Sequence, residues 1–189
     1  MGSIALDSAY RRVSVAEFLA MDFGGAKAEL EDGIIFVKVG ICEEQARIAA
    51  NLIVLLMPRL RGSGCRPYGS DFATRTDEGT VRFPDVSVHC NHPAAPENRR
   101  KQLLGDPTAV FEVLSPSTAS HDQRVKLEEY RGLAGLRDIV LVDPAGERIR
   151  HVRRNADGDW VDGWLSPGAD LALGSLGVTL QAADIFADD

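Results

Sequence analysis

The segment TAVFEVL, positions 108–114, constrains the fold of this chain more than any other stretch. It is apolar almost throughout and alternates poorly, which reads as a strand covered on both faces. A strand covered twice needs a layer on either side of its sheet, so the implied architecture is a mixed β-sheet flanked by helices, of α/β or α+β class. One residue resists this environment. Glu112 sits in the middle of the run, and an ionised carboxylate is costly to bury unless something compensates it.

The rest of the chain supplies the layers. Ser14 followed by Glu17 has the spacing of a capping box, predicting a helix that ends near Gly24-Gly25. In ELEDGIIFVKV, Asp32-Gly33 signals a turn between two short strands. Ile48, Leu52, Leu55 and Leu56 recur at helical spacing and predict a long helix over 43–60. Strands joined by a polar turn at Thr76 to Gly79 follow, with Pro84 suited to an edge or bulge. Beyond a loop over 91–107 and the TAVFEVL strand, Ser120 caps a predicted helix that stops at Gly132 or Gly135. RDIVLVDP is a second buried strand, a hairpin turns at Asp157-Gly158, and a last turn lies around Ile185-Phe186. No repeat or long linker divides the chain, so one domain over 1–189 with a core of about 13–186 is expected.

Composition limits the partners. With 44% hydrophobic and 26% charged residues among 189, the chain reads as globular. No apolar run suggests a signal peptide or a membrane span, which makes the cytoplasm the expected compartment. Cys42, Cys65 and Cys90 are scattered and odd in number, and suit free thiols better than a disulfide framework. A net charge of −7 argues against indiscriminate binding to a phosphate backbone, so a nucleic-acid role needs local positive charge or metal ions.

Glu112 has a counterpart in VRFPDVSV, where Asp85 is planted in strand-like sequence 27 positions earlier. Two acids on adjacent strands repel one another unless a cation lies between them, and hard oxygen donors suit magnesium or manganese. Glu31, at the LEDG turn, is a candidate third acid. Lys126 is the candidate cationic partner in a chain that uses 17 Arg and only 4 Lys. A lysine beside a metal-bound water can give, take or stabilise charge, which an arginine does less readily. The plainer alternatives are strand carboxylates held by backbone donors or an arginine, a solvated Lys126 paired with Glu129 or Asp122, and a Glu31 that only serves its turn. His89, Cys90 and His92 lack a second ligand cluster for zinc. The basic run Arg148, Arg150, His151, Arg153 and Arg154 reads as a charged edge strand.

PDVSV, FEVLSPST, Asp122 with Lys126 in HDQRVKLEEY, and IVLVDP together resemble the restriction endonucleases of the Uma-two type, within the PD-(D/E)XK nuclease superfamily. The resemblance runs from about Val13 to Phe186. It implies a sheet-centred nuclease in which Asp85 and Glu112 bind the metal, Glu31 assists and the Val113 carbonyl contributes. It further implies hydrolysis of phosphodiester bonds in DNA, with Lys126 orienting water or stabilising the transition state. A homodimer follows from the need to cut two strands. Two departures stand out: Leu114 occupies the superfamily's lysine position, so Lys126 must serve from the helix, and Gln45 stands where relatives carry a histidine. The second departure leaves room for a nuclease-like fold that has lost catalysis and acts as a binding or regulatory module.

Overall fold

The structure is a computed structural model that describes residues 11–38, 42–91, 93–115 and 122–188, with the side chains of Lys38, Asp122 and Gln123 outside that description. Its centre is strand β7 (Ala109–Val113), buried at every position. Alternation divides the strand between two layers. Ala109, Phe111 and Val113 pack with Ile48, Leu52 and Leu56 of helix α2 (Glu43–Arg59), while Val110 joins Leu127, Tyr130 and Leu136 on the other face. Burying a side chain such as Phe111 is worth about 1.5–3 kcal/mol, so the sheet is held from both sides.

Strand β7 lies inside a six-stranded sheet of order β10-β9-β8-β7-β6-β3. The strands are β3 (Arg66–Gly69), β6 (Val86–His89), β8 (Asp138–Asp143), β9 (Arg148–Arg154) and β10 (Trp160–Trp164). Only the β7–β8 pair is parallel. A parallel pair needs a crossover, which here runs through a π-helical turn (Asp122–Lys126) into helix α3 (Leu127–Arg131). The expected cap at Ser120 lies outside the described residues.

A second sheet, of order β2-β1-β5-β4, is built from β1 (Lys27–Glu31), β2 (Ile34–Lys38), β4 (Thr74–Arg75) and β5 (Val81–Arg82). Asp32 and Gly33 join β1 to β2 with φ of 52° and 79°, the doubly left-handed pair that a two-residue hairpin demands. The capping box predicted for the first helix is present, with Glu17 N–H on Ser14 and the Glu17 carboxylate on the Ser14 backbone. That helix, α1 (Val15–Leu19), stops well before Gly24-Gly25. It seats Phe18 against Leu30, Ala73 and Val81. The chain closes with β11 (Leu171–Leu173), β12 (Val178–Leu180) and helix α4 (Ala182–Phe186), all on the α2 side.

Three expectations change. VRFPDVSV is not one strand: Phe83 and Pro84 separate β5, in the smaller sheet, from β6, in the larger. Cys65 and Cys90 are not free thiols. They are joined in a disulfide one step beyond the Arg66–His89 pair of the β3–β6 ladder, leaving Cys42 free and exposed. The arginine-rich strand β9 is internal, with β10 on the edge, and its charges are matched by neighbours. Arg150 pairs with Asp162, Arg148 with Asp143, and Arg148 and Arg154 stack on Trp164 and Trp160.

Candidate metal centre at the junction of two sheets

The break at Phe83-Pro84 brings the two sheets together, and the acidic residues meet there. Val86 pairs with Phe111, Ser87 with Val110 and Val88 with Ala109. Asp85 immediately precedes Val86, at the end of the ladder where Glu112 follows Phe111. The Asp85 carboxylate also caps the end of the ladder by accepting the Val113 backbone N–H at 2.7 Å.

Glu112 is 3% exposed, which answers the cost posed by its strand. Its Oε1 accepts the Tyr130 hydroxyl at 2.7 Å and the Lys126 ammonium at 3.2 Å. Lys126 is itself 2% exposed, so it is no solvated helix residue. It occupies the π-helical turn, a local irregularity that recurs at functional sites. Burial first, then the charges of Glu112 and Glu29, push the Tyr130 hydroxyl well above its usual pKa, which keeps it a donor.

From the smaller sheet, strand β1 contributes two acids. Ala28 and Leu30 face the apolar side, so Glu29 and Glu31 face the other. The cross-strand register supports this, with Glu29 opposite Phe36 and Glu31 opposite Ile34. Glu29 is buried, 3.5 Å from Lys126 through Oε1 and 3.3 Å from Arg82 through Oε2. Glu31 lies nearer the rim, bound to Arg82 at 2.8 Å. Arg82 also holds Glu129 of α3 with two hydrogen bonds of 2.7 and 2.6 Å, a bidentate geometry. Burial alone would lower the Arg82 pKa, yet the hydrogen bonds to Glu129 and Glu31 and the surrounding carboxylate charge carry it above its ordinary range.

Of the residues singled out in the sequence, Glu112 and Lys126 are in contact, Asp85 lies just before strand β6 on the Val113 N–H, and Glu31 is linked to Glu29 through Arg82. The Val113 carbonyl accepts the Gln45 side-chain amide at 2.9 Å, which places the start of helix α2 beside the cluster. Sequence reasoning missed Glu29, Arg82, Glu129 and Tyr130. The first was readable from the alternation in KAELE, and the last from its i, i+4 relation to Lys126.

The donor set has a definite chemical character. Glu29, Glu31, Glu112 and Glu129 are ion-paired to Arg82 or Lys126, and Asp85 lies beside them on the Val113 N–H. No three His, Cys, Asp or Glu side chains enclose a ready-made ion cage among the described residues. Magnesium does not require one, since it keeps several waters and takes one or two protein carboxylates. Asp85, Glu112 and the Val113 carbonyl offer hard oxygen donors of that kind. An open cleft of about 590 Å³ lies to one side, touching the cluster through Thr76, whose hydroxyl is 3.4 Å from Glu129.

The chain is 32% identical over 162 residues to uncharacterized protein slr1290 of Synechocystis sp., covering 85% of this chain and 83% of that protein. It is 27% identical over 151 residues to uncharacterized protein sll1609 of the same organism, covering 79% and 85%. Its fold is similar to the crystal structure of "a putative nuclease belonging to DUF820" from Anabaena variabilis, with a TM-score of 0.77 at 16% identity over 92% of this chain and 97% of that one. A likeness at that identity shows the fold alone, a mixed α+β arrangement with a multi-stranded sheet flanked by helices. A sequence model of the Uma2 family, described as "Putative restriction endonuclease", matches residues 15–182, and the chain belongs to that family.

Proposed function

We propose that this chain is a metal-dependent endonuclease that hydrolyses phosphodiester bonds in DNA, with Asp85, Glu112, Lys126 and Glu31 as its working residues. The observation that carries this reading is the buried Glu112–Lys126 pair, with the Asp85 carboxylate on the N–H of Val113 next along the same strand. A carboxylate and an amine buried together in a core layer, where apolar residues would pack as stably, support a chemical role over a packing one. Membership of the Uma2 family supports the same reaction class, as does the description of the Anabaena structure as a nuclease.

Asp85, Glu112 and the Val113 carbonyl would hold magnesium or manganese, with Glu31 and Glu29 adding negative charge behind them. A divalent ion bound there supplies an activated water and neutralises charge on the phosphate. Lys126 contributes an ammonium with three donors, anchored by Glu112 and Glu29, that orients the water or stabilises the oxyanion. A chain of net charge −7 relies on such ions to approach DNA. Cutting both strands of a duplex suits a homodimer with two sites related by symmetry.

Cleavage of supercoiled plasmid in magnesium or manganese, abolished by EDTA, is the expected result. Glu112→Ala is expected to leave a folded protein without activity. A second reading, a nuclease-like module without catalysis, is favoured by one observation: the Val113 carbonyl already accepts the Gln45 amide. Calorimetric titration separates the two, because a module of that kind has no need to bind manganese at millimolar concentration.

A further inference from the structure

Helix α3 and the turn before it present two donors to a single carboxylate oxygen. Lys126 and Tyr130 are four residues apart, so their side chains rise from one helical face. Both end on Glu112 Oε1, the hydroxyl at 2.7 Å and the ammonium at 3.2 Å. The tyrosine is fully buried in the layer of Val110, Leu114, Leu127 and Leu133, and its hydroxyl is spent on Glu112.

The two donors differ in what they fix. A lysine ammonium is a point charge on a flexible stem, and here it is shared with Glu29 at 3.5 Å. It attracts the Glu112 carboxylate without setting its rotation. The tyrosine hydroxyl is a single directed donor on a rigid ring, and it selects one orientation of the carboxylate plane. We infer that Tyr130 is a positioning residue for the metal centre, holding Glu112 in the orientation that binds a divalent ion and keeping Lys126 from drawing that carboxylate into a closer ion pair. The inference rests on the proposed nuclease reading, since it concerns the same ion. It assigns Tyr130 the task that partners of metal ligands perform, whose loss costs metal affinity about 10- to 100-fold.

The test is manganese binding by the full chain, read by electron paramagnetic resonance of free Mn2+, for the wild type and Tyr130→Phe. The phenylalanine keeps the ring and its packing, so circular dichroism is expected to match the wild type while Mn2+ affinity falls roughly 10-fold or more. Equal affinity in the two proteins overturns the positioning role and leaves the nuclease reading standing. No binding by the wild type removes both. Should the phenylalanine variant fold poorly, Leu133→Ala, which disturbs the same layer and leaves the hydroxyl in place, is the control for lost stability. Equal losses of Mn2+ affinity in the two variants overturn the role, and a loss confined to Tyr130→Phe supports it.

Discussion

Asp85 accepts the backbone N–H of Val113 at 2.7 Å, so one of the two strand acids is also a structural cap on the ladder that carries the other. Candidate chemistry and strand pairing therefore share a side chain, and substitutions at Asp85 report on both. Asp85→Ala is expected to leave a partly buried N–H without its acceptor and to cost about 1–3 kcal/mol of stability. Asp85→Asn retains an acceptor oxygen and is expected to lie within about 1 kcal/mol of the wild type while losing metal-dependent cleavage. Urea unfolding alongside plasmid cleavage checks the pair. Asp85→Asn that cleaves normally would remove Asp85 from the ion's ligands.

Arg82 and Asp162 are both ion-paired to more than one residue, but only the first is buried. Arg82 is 1% exposed and faces Glu29, Glu31 and Glu129, so Arg82→Met removes the cation these three carboxylates share and is expected to cost roughly 3–5 kcal/mol. Asp162 bridges Arg131 and Arg150 in contact with solvent, with its pKa lowered chiefly by its hydrogen bond from Arg150. Asp162→Asn is expected to cost less than about 1 kcal/mol. Comparable losses for the two variants in urea unfolding would contradict this ordering.

His89 is buried edge-on to Tyr68 and Phe72, whose rings stack at 4.4 Å. Burial, opposed by the Gly105 backbone and the Asp106 charge, pushes its pKa down to about 4 from 6.5. Above pH 6.5 the ring is neutral whether folded or unfolded and imposes no penalty. Between pH 6.5 and 4 the unfolded chain takes up the proton first, so stability falls with pH by up to about 3 kcal/mol. His89→Phe cannot titrate and is expected to lose less stability than the wild type across that window. Parallel curves for the two proteins in pH-dependent urea unfolding would show that His89 is not responsible.

The Cys65–Cys90 bond changes the number of reactive thiols. Under non-reducing, denaturing conditions, alkylation followed by mass spectrometry is expected to find one adduct, on Cys42, and three after reduction. Three adducts without reductant would place the bond outside the protein as purified.

Much of the architecture follows from local pattern. The capping box at Ser14, the Asp32-Gly33 hairpin, helix α2 and the doubly covered strand β7 all lie where spacing and turn chemistry put them. The misreadings involve partners distant in the chain. A continuous strand through Pro84 was a sound inference from composition, but Arg82 pairs in one sheet and Val86 in the other. Cysteine spacing gave no sign that strands β3 and β6 bring Cys65 beside Cys90.

By itself the sequence determined that a carboxylate would be buried at position 112, because the residues around it are too apolar to sit in water. It also determined that Lys126 and Tyr130 would share a helical face, since that depends only on helical spacing. Only the tertiary structure decided what surrounds Glu112: Lys126 and Tyr130 through the crossover, with Glu29 and Arg82 of a second sheet linked to it through Lys126. The physical reason is range. Turn and helix preferences act over a few residues, whereas the charge balance of a buried cluster is set by side chains tens of positions apart that meet only when both sheets have formed.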